Sequence, residues 1–135
     1  MAEGQTVHIA DDDEDDRMLI KEALEEVNPN IKVIEAENGK ELVENVKNSD
    51  DLSDTVIVVD MNMPKMNGVE AIKEIRSEPE LAKLPAVMMS TSNNPDLMKK
   101  ALDAGVDEFI VKPNSFKALL DIARKIIFRF FSKKH

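Results

Sequence analysis

Residues 55–59 read Thr55-Val56-Ile57-Val58-Val59, almost entirely β-branched and apolar on both faces. A strand with one wet face alternates apolar and polar residues, so this run fits a central parallel strand covered by helices on each side. Four further short apolar runs lie at 7–10, 31–36, 86–89 and 109–111. The run at 31–36 is interrupted by Lys32 and Glu35, as expected nearer a sheet edge.

Longer amphipathic stretches separate the five runs. Ile20, Leu24 and Val27 recur at i, i+4 and i+7 after an acidic first turn, and Asn28-Pro29 stops that helix. Asn38-Gly39 marks a turn before Leu42, Val43 and Val46, and Asn67-Gly68 precedes Val69, Ile72 and Ile75. Asn94-Pro95 opens a stretch through Leu97, Met98, Ala101 and Leu102 that Gly105 closes. Ser115 caps a last helix with Phe116, Leu119, Ala123, Ile126 and Phe130 on one stripe. Strand-helix alternation of this kind requires right-handed crossovers and a parallel sheet. Five units predict a (βα)5 flavodoxin-like, doubly wound α/β sandwich with strand order 2-1-3-4-5. Its crevice lies at the carboxyl ends of strands 1 and 3.

The residues at those ends are Asp11 and Asp12 after the first strand and Asp60 after the third. Two carboxylates about 4 Å apart repel by roughly 4 kcal/mol at an effective dielectric near 20, so such a cluster must protonate or bind a cation. Hard oxygen ligands that leave room for water suit Mg²⁺ better than zinc. A partly open Mg²⁺ site with one exposed carboxylate suits phosphoryl transfer to that carboxylate. Ser90 ends the fourth strand with a hydroxyl, and Lys112 ends the fifth with a positive point charge, followed by Pro113.

These pieces resemble the receiver domain of two-component response regulators, in its CheY-like stand-alone form. They are Ile9-Ala10-Asp11-Asp12, the segment from Val58 through Asp60 and Asn62 to Asn67-Gly68, Ser90-Thr91, and Phe109-Ile110-Val111-Lys112-Pro113. The resemblance covers about residues 7–130. It implies that Asp60 is the phosphoacceptor, that Asp12, Asp60 and the backbone carbonyl of Asn62 hold Mg²⁺, and that Asp11 contributes through water. It further implies that Ser90 and Lys112 hold phosphoryl oxygens and that Phe109 changes rotamer with phosphorylation. The Lys112–Pro113 bond is expected to be cis. The implied donor is a phosphohistidine on a sensor histidine kinase or phosphotransfer protein, and the output is docking to a downstream protein through the strand 5 and last-helix face. Departures from the family pattern are mild: Ser90 stands for the commoner Thr, Thr91 for a small residue, and Phe109 for the frequent Tyr.

The 135 residues are expected to form one receiver domain, with a core at about 6–131, a short basic tail at 132–135 and no output domain. No linker-like break or internal repeat is visible. The absence of cysteine removes disulfides, thiolate zinc sites and thiol nucleophiles. A net charge of -9 and only five aromatics, all Phe, argue against nucleic acid as a partner. No secretory signal or membrane span is apparent, so a cytoplasmic location is the expectation.

Several residues have plainer readings. Asp13, Glu14, Asp15 and Asp16 read as solvent-facing acids at a helix N-terminus, and His8 as a satisfied core histidine. Most of the eight Met read as core filling, with Met61, Met63 and Met66 near the crevice rim. The last helix, broadened by Ile122, Phe128 and Phe131, either packs on the sheet with a basic end or forms a partner or homodimer face; a membrane-surface role is a third reading. Rival functions are a Mg²⁺-dependent phosphohydrolase, against which stands the lack of a cap segment, and a receiver-like module that is never phosphorylated. A flavin carrier is disfavoured by the acidic crevice.

Overall fold

The computed structural model describes residues 4–131, so the basic tail with Lys133 and Lys134 lies outside the described residues. Five strands, β1 (Thr6–Ala10), β2 (Lys32–Ala36), β3 (Thr55–Asp60), β4 (Ala86–Ser90) and β5 (Glu108–Val111), alternate with five helices. The helices are α1 (Glu14–Val27), α2 (Gly39–Lys47), α3 (Gly68–Ser77), α4 (Pro95–Ala104) and α5 (Phe116–Phe131). All strand pairs are parallel, in the order β2-β1-β3-β4-β5. The doubly wound sandwich expected from the alternation is the fold observed.

The period-two geometry of β3 divides its side chains between two cores. Ile57 and Val59 join the cluster beneath α2, α3 and α4, while Val56 and Val58 join the one beneath α1 and α5. All six β3 residues are buried, as their lack of apolar-polar alternation requires.

Short polar side chains fix where the helices begin. Asp13 Oδ1 accepts from the Asp15 and Asp16 amides, Asn38 caps α2, and Asn67 forms a reciprocal capping box with Glu70. Asn94 caps α4 ahead of Pro95, and Ser115 Oγ accepts from the Ala118 amide at the start of α5. Gly105 ends α4 at φ 116°, a left-handed conformation that costs glycine nothing.

Three expectations are corrected. The buried arc of α5 is Leu119, Ala123, Ile126, Ile127 and Phe131, with Phe130 half-buried and Phe116 largely outside. The helix packs on α1 and shares a core with strand residues, and its buried arc runs through Ile127 and Phe131. His8 is 1% exposed, yet its Nδ1 has no hydrogen-bond partner among the described residues and its Nε2 lies 3.5 Å from Ser49 Oγ. The methionines behave as the core filling expected of them: Met61 is buried, and Met63 and Met66 pack half-buried against the α2, α3 and α4 core, anchoring the loop after β3. Finally, no peptide bond among the described residues is cis, so Lys112–Pro113 is trans, the isomer an X–Pro amide favours by about 0.5–1 kcal/mol.

Candidate functional site

Parallel strands in register end at one edge, and their last residues face a common crevice. Ala10 pairs with Val59, Asp60 with Met89, and Ser90 with Val111, so the residues that follow β1 and β5 and the one that ends β3 converge there. Asp11, Asp12 and Asp60 each offer a carboxylate oxygen, and these oxygens lie within 4.8 Å of one another. Asp11 and Asp60 are buried and Asp12 is exposed, so the cluster opens to solvent on one side. Gly68 helps to set this edge. A side chain there would collide with the Asp60 carbonyl oxygen, so glycine lets α3 start directly against the end of β3.

Lys112 reaches into the cluster from the end of β5. Its Nζ donates to Asp11 Oδ2 at 2.9 Å and lies 3.1 Å from Asp60 Oδ1. Its own amide donates to the Ser90 carbonyl at 2.7 Å, locking the ends of β4 and β5 together. Ser90 is fully buried, and its Oγ accepts from the Ser92 amide at 3.1 Å. Asn62 sits on the exposed loop after β3, two residues beyond Asp60. Phe109 is half-buried against the α2, α3 and α4 core.

Burial and like charge shape the titration of the cluster. Asp60 is pushed up to about 6, chiefly by burial and then by the Asp11 charge, with Lys112 opposing. Asp11 is also raised by burial, against the pull of the Asp13 amide and of Lys112. For Lys112, burial disfavours the ammonium, but its hydrogen bonds to Asp11 and Asp16 and the field of Asp60 outweigh it and hold its pKa above the ordinary value.

Two residues of the site were not anticipated. Asp16, expected to face solvent, instead takes a hydrogen bond from Lys112 Nζ at 3.0 Å, whereas Asp13 caps the helix and Asp15 is exposed. The signal was present: Asp16 lies one turn before buried Ile20, on the same side of α1. Arg17 is buried as well, donating to the Asp11 carbonyl at 2.7 Å and to Glu35 Oε1 at 3.1 Å, and so ties the end of β1 to α1 and β2.

The sequence model of the response regulator receiver domain matches residues 7–124. The chain belongs to the response regulator receiver family. This receiver is 35% identical over 105 residues to a chemotaxis protein CheY homolog of Campylobacter jejuni, covering 78% of each chain. It is 32% identical over 123 residues to the chemotaxis protein CheY of Thermotoga maritima, covering 91% of this chain and 98% of that one. Among solved structures, the phosphorylated cyanobacterial phytochrome response regulator RcpA superposes with a TM-score of 0.82 at 27% identity, covering 97% of this chain and 96% of the other. The receiver is thus a signalling module of two-component systems rather than a conventional enzyme. No helix among the described residues is long and apolar enough to cross a membrane.

Proposed function

We propose that the receiver is switched by phosphorylation of Asp60, with Mg²⁺ as cofactor. The observation that carries this reading is the meeting of Asp11, Asp12 and Asp60 with the Lys112 ammonium at one strand edge. In the transfer, an Asp60 carboxylate oxygen forms a bond to phosphorus as the bond to a phosphohistidine nitrogen breaks, and that nitrogen keeps the electron pair. Water later attacks phosphorus, restoring the carboxylate and releasing inorganic phosphate. The donor is a sensor histidine kinase or a phosphotransfer protein.

The donor set fits a hard divalent cation: all oxygen, strongly anionic and open to water on the Asp12 side. Asp12, Asp60 and the carbonyl of Asn62 are the proposed direct ligands, with Asp11 acting through water. Bound there, Mg²⁺ supplies positive charge against the phosphoryl oxygens. Ser90 donates its hydroxyl proton, which its bond from the Ser92 amide leaves available, to one phosphoryl oxygen, and Lys112 pairs with another. Phe109 follows Ser90 inward, and the face formed by β5 and α5 changes for a downstream protein or a second copy of the chain. That RcpA was solved in a phosphorylated form supports this reading.

The test is intact mass after incubation with acetyl phosphate, with and without Mg²⁺, for the wild type and Asp60→Asn. A single phosphoryl adduct that needs Mg²⁺ and disappears in the variant is expected. An adduct that persists in Asp60→Asn places the acceptor elsewhere. If none forms even with a phosphorylated histidine kinase domain as donor, the reading fails.

A further inference from the structure

Three carboxylates surround the Lys112 ammonium, and one of them has no part in the chemistry proposed above. Lys112 Nζ donates to Asp11 Oδ2 at 2.9 Å and to Asp16 Oδ2 at 3.0 Å, with Asp60 Oδ1 at 3.1 Å. An ammonium has three N–H groups, and two of them are committed to Asp11 and Asp16 while Asp60 lies on the remaining side. A phosphoryl group on Asp60 adds anionic oxygens that must draw the ammonium towards them. That movement is resisted by the two bonds that hold the ammonium from the other side, those to Asp11 and Asp16.

The carboxylates differ in how readily they yield. The Asp11 side chain is 2% exposed, and little water can reach it to replace a lost cation. The Asp16 side chain is 41% exposed, on the first turn of α1, where water can take the place of Lys112. Asp16 also places a negative charge beside the point at which a phosphoryl dianion has to arrive. We propose that Asp16 is a positioning residue that competes with the phosphoryl oxygens for Lys112 and thereby weakens the hold of the site on a phosphoryl group. Lys112 is shared between the first turn of α1 and Asp60, and the Asp16 charge sets how it is divided. The proposal rests on the reading of Asp60 as the acceptor.

The probe is the beryllium trifluoride anion with Mg²⁺, a tetrahedral phosphoryl mimic on a carboxylate oxygen, followed by fluorine NMR of the bound fluorides. Wild type, Asp16→Asn, Asp16→Glu and Asp15→Asn are titrated side by side. Asp15 lies on the same turn but is exposed, so Asp15→Asn removes the same helix-terminal charge at a distance from Lys112. Asp16→Asn is expected to bind the probe about three- to five-fold more tightly, the scale of a half-exposed ion pair. Asp15→Asn should match the wild type, and Asp16→Glu should return towards it. The Lys112 side-chain ammonium resonance in ¹⁵N-labelled, metal-free protein should shift in Asp16→Asn and stay in place in Asp15→Asn. Unchanged or weaker binding in Asp16→Asn, or equal tightening in Asp15→Asn, overturns the role of Asp16 while leaving Asp60 as acceptor. A wild type that forms no adduct overturns both.

Discussion

Asp60 carries its charge at a cost to the fold. Its pKa is raised from 3.8 to about 6, so between those values the folded chain binds more protons than the unfolded one. Stability therefore falls as pH rises through that window, and the full cost is present above it. Asp60→Asn removes the charge and should stabilise the metal-free protein at pH 7.5 by about 2–3 kcal/mol in urea titrations. A variant less stable than the wild type would contradict this account of the cluster. His8 has the opposite sign. Burial, followed by the charge of Lys32, lowers it from 6.5 to about 4, so the unfolded chain binds more protons in between. Its contribution is complete above 6.5 and is lost as pH falls towards 4. The two windows overlap with opposed slopes, and single variants are needed to separate them. His8→Leu should hold its urea midpoint at pH 7, where it removes an unpartnered buried nitrogen, and lose less stability than the wild type by pH 5.

At the scale of the helix, which face is buried decides both stability and site. In α5, Phe131 is 2% exposed and Phe128 is 65% exposed, three positions apart in the same apolar-rich stretch. Phe131→Ala should cost about 3 kcal/mol by emptying a core position. Phe128→Ala should cost less than about 1 kcal/mol. Thermal melts of the two variants compare them directly, and equal losses would mean that α5 is rotated from the arrangement described. In α1 the same geometry has a chemical consequence. The inward side that carries Ile20 and Leu24 carries Asp16 one turn earlier, at the level of the strand ends, and so brings it to Lys112. Asp13 and Asp16 stand in one acidic run, yet one holds the helix N-terminus and the other a lysine.

For the whole molecule, the acidic crevice concentrates part of the net charge of -9 at one strand edge, so a divalent cation should act as a stabilising ligand as well as a cofactor. Mg²⁺ at one hundred times its Kd should raise stability by about 2.7 kcal/mol through mass action. Calorimetry with and without Mg²⁺ reads this as a higher Tm in the wild type, and the increment should shrink sharply in Asp12→Asn and Asp60→Asn. An equal increment in all three proteins would mean that the cation acts by general screening and not at the cluster.

The fold was legible in the chain because its signals are local and repeated. Thr55 to Val59 reads as a strand covered on both faces, and the caps at Asn67, Asn94 and Ser115 mark helix starts through bonds spanning two or three residues. Asp11, Asp12, Asp60, Ser90 and Lys112 were legible for the same reason, since parallel strands in register must end at one edge. Tertiary structure alone decided what depends on how a helix is rotated about its axis. That rotation buries Phe131 rather than Phe130 and turns Asp16 from a surface acid into a partner of Lys112. It is set by packing against neighbours far away in the sequence, which periodicity within a single helix constrains only to within about a residue.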